Sequence, residues 1–265
     1  FPTRRSSDLN TFCEYVLPYR IGDEALVYWR EMYYHAYNPL LDDLRASDSL
    51  DKEDPLVAAK FLFDRLPDRT FRYTGVTPAV FGHVGPVYVQ YLSGSCLEVT
   101  DFTIYMFRAL GIPCTMDFTP MRGQTHAGHS WMACWDKNGE TYMSEFPKSP
   151  MLVRKNIWCT KEDNAKVYRQ TFSLNRQVYG EMAQYKEELY PLWRLPNFVD
   201  VTPLYARYYM EKLEIPRSCL YEDSLRGKSI VYLCHSARKN WAPVDWAKVD
   251  ERQLLFRRIK KGATM

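Results

Sequence analysis

The sequence contains no CxxC pair, no GxSxG, no GxxxxGKS or GxxxxGKT and no GxGxxG. These absences leave out a zinc ribbon or dithiol redox pair, a serine nucleophile elbow, a phosphate-binding loop and a dinucleotide fingerprint. Charge of one sign is lacking too: 35 lysines and arginines face 32 aspartates and glutamates, a net +3. Nothing in that balance asks for nucleic acid or an anionic membrane surface as a partner. A long apolar run is also missing. The charge-free stretch Tyr73 to Leu97 is interrupted by Pro78, Pro86, Gly75, Gly82, Gly85 and Gly94, and cannot continue as a membrane-spanning helix. Neither internal repeats nor low-complexity tracts occur.

What is present is the composition of an ordinary globular protein: 265 residues, 46% apolar and 15% aromatic, enough for one large domain or two modest ones. The seven cysteines are an odd number, so at least one thiol lacks a partner within the chain. Residues 1–9, FPTRRSSDL, resemble a translated sequencing-adapter fragment and are set aside. The natural N-terminus, with any export signal, then lies outside this sequence.

Residues 10–84 read as a helical region, from apolar spacing of three and four in EALVYWREMYYHAY and DPLVAAKFLFDRL punctuated by prolines. A helix is expected over CLEVTDFTIYMFRALG, with Gly111 as its stop. Strands are expected at PVYVQY, IPCTMDFT, HSWMACWD and ETYMSEF, the last two joined by a hairpin through Asp136 to Gly139. After a helical or irregular stretch to about 195, VTPLYARYYM, SIVYLCHS and WAPVDWAKV return to a period near two. Residues 200–265 are therefore expected to form a separate β-rich module, truncated in this sequence.

The chemistry gathers around three residues. Ser95 and Glu98 fit a capping box, which sets Cys96 in the first turn of a helix, where free N–H groups and the positive end of the dipole favour thiolate over thiol. Gly94 leaves the backbone open to close approach. His129 follows 33 residues later at the start of a strand, and Glu145 lies 16 residues beyond it. An odd hairpin loop centred on Lys137 sets His129 opposite Glu145, where a carboxylate would fix the imidazole tautomer. A two-residue loop at Asn138-Gly139 sets Lys148 there instead. Asp136 is the rival acid, but strand parity turns it to the other face. His126 and His129, three apart at a loop-to-strand junction, lack the i, i+4 helical spacing that brings two imidazoles onto one metal.

SGSCLEVTDFTIYMFRALGIPCTMDFTP followed by HAGHSWMACWDKNGETYMSEF resembles the core of the transglutaminase-like superfamily, over about a quarter of the chain. The flanks EYVLPYRIGDE, DVTPLY, VYLC and WAPVDWAKV resemble exported transglutaminase-like proteins of Bacteroidetes-type bacteria, often lipid-anchored. The resemblance implies an α+β fold: a helical N-terminal layer, a papain-like core with an antiparallel sheet over 85–195, and the C-terminal β-rich module. It implies that Cys96 attacks an amide or acyl carbonyl of a peptide or protein, His129 shuttles the proton and Glu145, where the family usually has aspartate, orients the imidazole. The Cys96 backbone N–H and the Gln90 side chain would form the oxyanion hole. No metal or organic cofactor is required, and the expected location is periplasmic or cell-surface, with a lipid anchor on the missing N-terminus. The alternative is a catalytically inactive protein of this fold that binds peptides or glycans.

Overall fold

The structure is a computed structural model and describes residues 6–66, 71–75, 82–91, 93–123, 127–145, 150–153, 164–236 and 240–263. It is an α+β fold with antiparallel sheets and no closed barrel among the described residues. The chain packs as two compact units. The first takes residues 1–117 and 130–155, the second 118–129 and 156–265. The division therefore falls inside the expected core and not near residue 200.

The first unit is built on helices α1 (Ser6–Tyr15), α2 (Arg30–Tyr37), α3 (Asp42–Ala46), α4 (Pro55–Arg65), α5 (Pro86–Val89) and α6 (Cys96–Ala109). α1 begins within the stretch set aside as foreign. Local chemistry explains the boundaries. Asp54 caps α4 by accepting from the Leu56 N–H ahead of Pro55, and Gly111, at φ +78°, turns the chain out of α6. Every residue of α6 from Glu98 to Arg108 is buried, so it is the central helix of this unit. Its aromatic rings pack on opposite sides, Tyr105 against Trp29 at 4.9 Å between ring centroids and Phe107 against Phe63 at 5.8 Å. A short parallel pair, β1 (Arg72–Tyr73) with β2 (Ser93–Gly94), precedes α6.

PVYVQY is not a strand. Pro86 opens the single turn of α5 and Gln90 is its C-cap, with helical φ −66° and ψ −21°. Proline at the first helical position has no N–H to leave unbonded, and this local preference outweighs the β-branched residues that suggested a strand.

The antiparallel strands follow as β3 (Cys114–Arg122), β4 (Ala127–Trp135), β5 (Thr141–Ser144) and β6 (Met151–Leu152), ordered β6-β5-β4-β3. In the second unit the later part of β3 is followed in the sheet by β7 (Tyr168–Gln170) and β8 (Phe198–Asp200). The same unit holds α7 (Arg176–Gln184) and two antiparallel pairs: β9 (Tyr209–Pro216) with β12 (Gln253–Lys260), and β10 (Ile230–Ser236) with β11 (Trp241–Lys248). SIVYLCHS and WAPVDWAKV, read as strands from their period near two, pair antiparallel, whereas VTPLY is a helical turn, Thr202–Tyr205, with proline again near its start. Leu233, Val244, Leu254, Phe256 and Ile259 form one apolar core of this unit, and Met182, Leu189, Trp193 and Ile230 another. No described helix is long and apolar enough to cross a membrane.

Candidate functional site

Cys96 occupies the first position of α6 and is half-buried. The capping box forms: Ser95 Oγ accepts from the Leu97 N–H at 3.2 Å, while Glu98 Oε2 accepts from the Ser95 N–H at 2.7 Å and from its hydroxyl at 2.6 Å. One turn on, the Thr100 hydroxyl donates to the Cys96 carbonyl at 2.7 Å. Glu98 is fully buried, and its inward fold explains Gly94: a Cβ there would stand 2.6 Å from Glu98 Cβ and 2.8 Å from Oε2. Gly94 is thus required by the carboxylate that caps the helix. The helix start is rigidly specified, and it presents a thiol to the positive end of a fourteen-residue helix.

His129 is half-buried near the start of β4 and closes the 118–129 stretch of the second unit; Cys96 and Glu145 belong to the first. The hairpin register differs from the expected one. Met132 pairs with Ser144, Ala133 with Met143, Cys134 with Tyr142 and Trp135 with Thr141, so the next step of the ladder sets Glu145 against Trp131 and not against His129. The turn is the cause. Its loop spans Lys137 to Gly139, centred on Asn138, with Gly139 at φ +81°. Asp136 Oδ1 accepts from the N–H groups of Asn138 and Glu140, both at 2.9 Å. The tip is also tied to the start of α4: the Lys137 ammonium donates to Asp51 at 2.5 Å and its N–H to Asp54 at 3.3 Å. Asp136, the rival acid, is a turn-capping residue.

Gln90 is half-buried at the end of α5. His126 lies outside the described residues, as does Cys159. Among the described residues, no group of three or more histidine, cysteine, aspartate or glutamate side chains is placed to hold a metal ion.

Sequence reasoning missed a buried polar cluster on the flank of α6. Asp101 is fully buried, and its Oδ2 lies 2.8 Å from His83 Nδ1. Burial opposes the imidazolium, but Asp101, with help from Glu24 and Asp23, outweighs it and raises the His83 pKa to about 9. Asp23 also accepts from the His83 N–H at 3.0 Å. Glu24 accepts from the N–H groups of Ile21 and Gly22 and from the Tyr105 hydroxyl at 2.5 Å. A Cβ on Gly22 would land on the His83 ring, so this glycine makes room for the pair. The one available signal was an aspartate inside the largely apolar helix DFTIYMFRAL.

Comparison with protein-family models, with curated proteins and with solved structures finds no match.

Proposed function

We propose that the chain is a transglutaminase-like cysteine enzyme acting on amide bonds of peptides or proteins through a thioester, with hydrolysis favoured over transfer to an amine. The observation that carries this reading is the half-buried Cys96 at the first position of a long, capped helix. In the proposed reaction the Cys96 thiolate attacks the carbonyl, and the Cys96 N–H, with Gln90, steadies the oxyanion. His129 protonates the leaving amine and then activates water to release the acid. Glu145 takes the orienting role from the family resemblance, since the hairpin register supplies no direct cross-strand pairing with His129. The exported location and the lipid anchor belong to this proposal too, through the resemblance of the flanking segments.

A limiting alkylating reagent near neutral pH tests it. Cys96 is expected to react first, because burial raises the Cys114 thiol to about 12 and that of Cys234 above its ordinary value, and Cys134 is fully buried. Peptide mapping that finds Cys13 or Cys219 labelled ahead of Cys96 overturns the nucleophile assignment. In a turnover assay on a glutamine-containing peptide, Glu145→Gln is expected to cost about 10⁴-fold, the scale known for the orienting carboxylate of serine triads. Turnover near that of the parent protein removes Glu145 from the mechanism. Mass analysis of the products with and without a primary amine separates hydrolysis from transfer.

A non-catalytic peptide- or glycan-binding protein is the second reading. The shifted register of Glu145 favours it, as does the exposed ring pair Tyr88 and Tyr91, 42% and 80% accessible, beside Gln90. A chain inert toward a broad peptide set, with an ordinary Cys96 thiol, would favour that reading over the enzyme.

A further inference from the structure

The second unit holds a buried amine between two carboxylic acids. Lys166 is 3% exposed through its side chain. Its Nζ lies 2.5 Å from Asp200 Oδ2, 3.2 Å from Asp245 Oδ2 and 2.7 Å from the Arg257 carbonyl. The side chains of Asp200 and Asp245 are 19% and 16% exposed. We propose that Lys166 and Asp245 join in an intramolecular isopeptide bond, with Asp200 as the group that moves the protons.

Three features of the geometry support these roles. One ammonium balances one carboxylate, so the second acid is the group that burial pushes toward its neutral form; burial raises Asp245, with Lys166 opposing. A protonated acid is the form that can lose its hydroxyl as water. The other oxygen of Asp245, Oδ1, accepts from the Trp246 N–H at 2.9 Å. The Tyr168 hydroxyl lies 3.4 Å from this Oδ1 while donating to the Val244 carbonyl at 2.8 Å. The Trp246 N–H, already aimed at that oxygen, would stabilise the negative charge it gains during addition. Asp200 is the nearer acid to Nζ and is itself held in place, its Oδ1 accepting from the Thr202 N–H at 2.9 Å.

The step balances without any added reagent. Asp200 takes a proton from the ammonium, leaving a neutral amine against the neutral Asp245 acid. The Nζ lone pair forms a bond to Asp245 Cγ, and negative charge moves to Oδ1. Asp200 passes a proton to Oδ2 and receives one from nitrogen, the Cγ–Oδ2 bond breaks, and water departs. Lysine ammonium, carboxylic acid and carboxylate become an amide, a water molecule and a protonated Asp200. Because the amine is enclosed, the amide is shielded from the reverse hydrolysis once the water has left.

Mass spectrometry of the full 265-residue chain, expressed and purified under native conditions, tests the proposal. The expected intact mass is that of the sequence less one water, and proteolysis should yield one branched peptide joining Lys166 to Asp245. Asp200→Ala should restore the full mass, and Asp245→Asn should lose ammonia in place of water. A parent chain at full mass overturns the proposal whether or not the variants fold. A missing water traced to a succinimide, or to a bridge from Lys166 to Asp200, overturns the assignment equally.

Discussion

Each unit buries charged groups, and although the first also pairs His83 with Asp101 side chain to side chain, its Glu24 and Arg108 are met differently from Lys166 of the second. In the first, Glu24 receives two backbone N–H groups and a tyrosine hydroxyl, and Arg108 donates to the carbonyls of Tyr15, Arg20 and Cys114. These charges are met largely by the backbone of irregular segments, so they act as ties that hold loops against α6. In the second, Lys166 meets two acid side chains directly, with one carbonyl completing its three donors. A charge satisfied by peptide dipoles has nothing to react with, whereas an amine held against a neutral acid has a partner for condensation. Burial of charge therefore serves fastening in one unit and sets up reactivity in the other.

The largest expected effect tests the fastening. Glu24→Ala leaves a tyrosine hydroxyl and two N–H groups without their acceptor, and should lower stability by about 3–5 kcal/mol in urea denaturation. A loss below about 1 kcal/mol would mean that water or a neighbouring carboxylate replaces the glutamate easily, and the tie would lose its meaning.

A pH series sharpens the comparison. The His83 pKa is about 9 in the fold, against about 6.5 for an unperturbed histidine. A raised pKa stabilises the protonated fold, so this contribution is complete below about pH 6.5 and fades as pH rises through 9. The expected loss across that window is on the order of 3 kcal/mol, the value carried by a pKa raised from about 6.5 to about 9 at about 1.4 kcal/mol per pH unit. Asp101→Asn should abolish this slope. A slope that survives the substitution would place its origin elsewhere in the molecule.

The smallest effect concerns Gly22. Gly22→Ala should cost about 1–3 kcal/mol by overpacking against the His83 ring, and much less in a His83→Ala background. Strict additivity of the two substitutions would show that ring and glycine do not share the space described.

The start of α6 was legible because all its determinants lie within five residues: Gly94, Ser95, Cys96 and Glu98 interact through neighbouring backbone. Helix stops at Gly111 and the strands around Trp131 and Tyr142 were readable for the same reason. The pairing of His129 with Glu145 was not, since it hung on where the hairpin loop is centred, and Asp51 and Asp54, more than 80 residues earlier in the chain, help to hold that tip. The one-turn helix at Pro86 misled because β-branched residues accompany a proline whose helix-starting preference prevailed.

The capped helix that begins at Cys96 and the strands that follow it are written in local sequence, because capping, glycine stops and apolar period act over a few residues, while the α+β class came through the resemblance of that same segment. Which charges are buried together depends on long-range packing. His83 and Asp101 stand 18 residues apart, and Lys166 and Asp200 stand 34 apart. No local spacing marks such pairs, because their partnership depends on the removal of water, and that happens only when distant segments close over them.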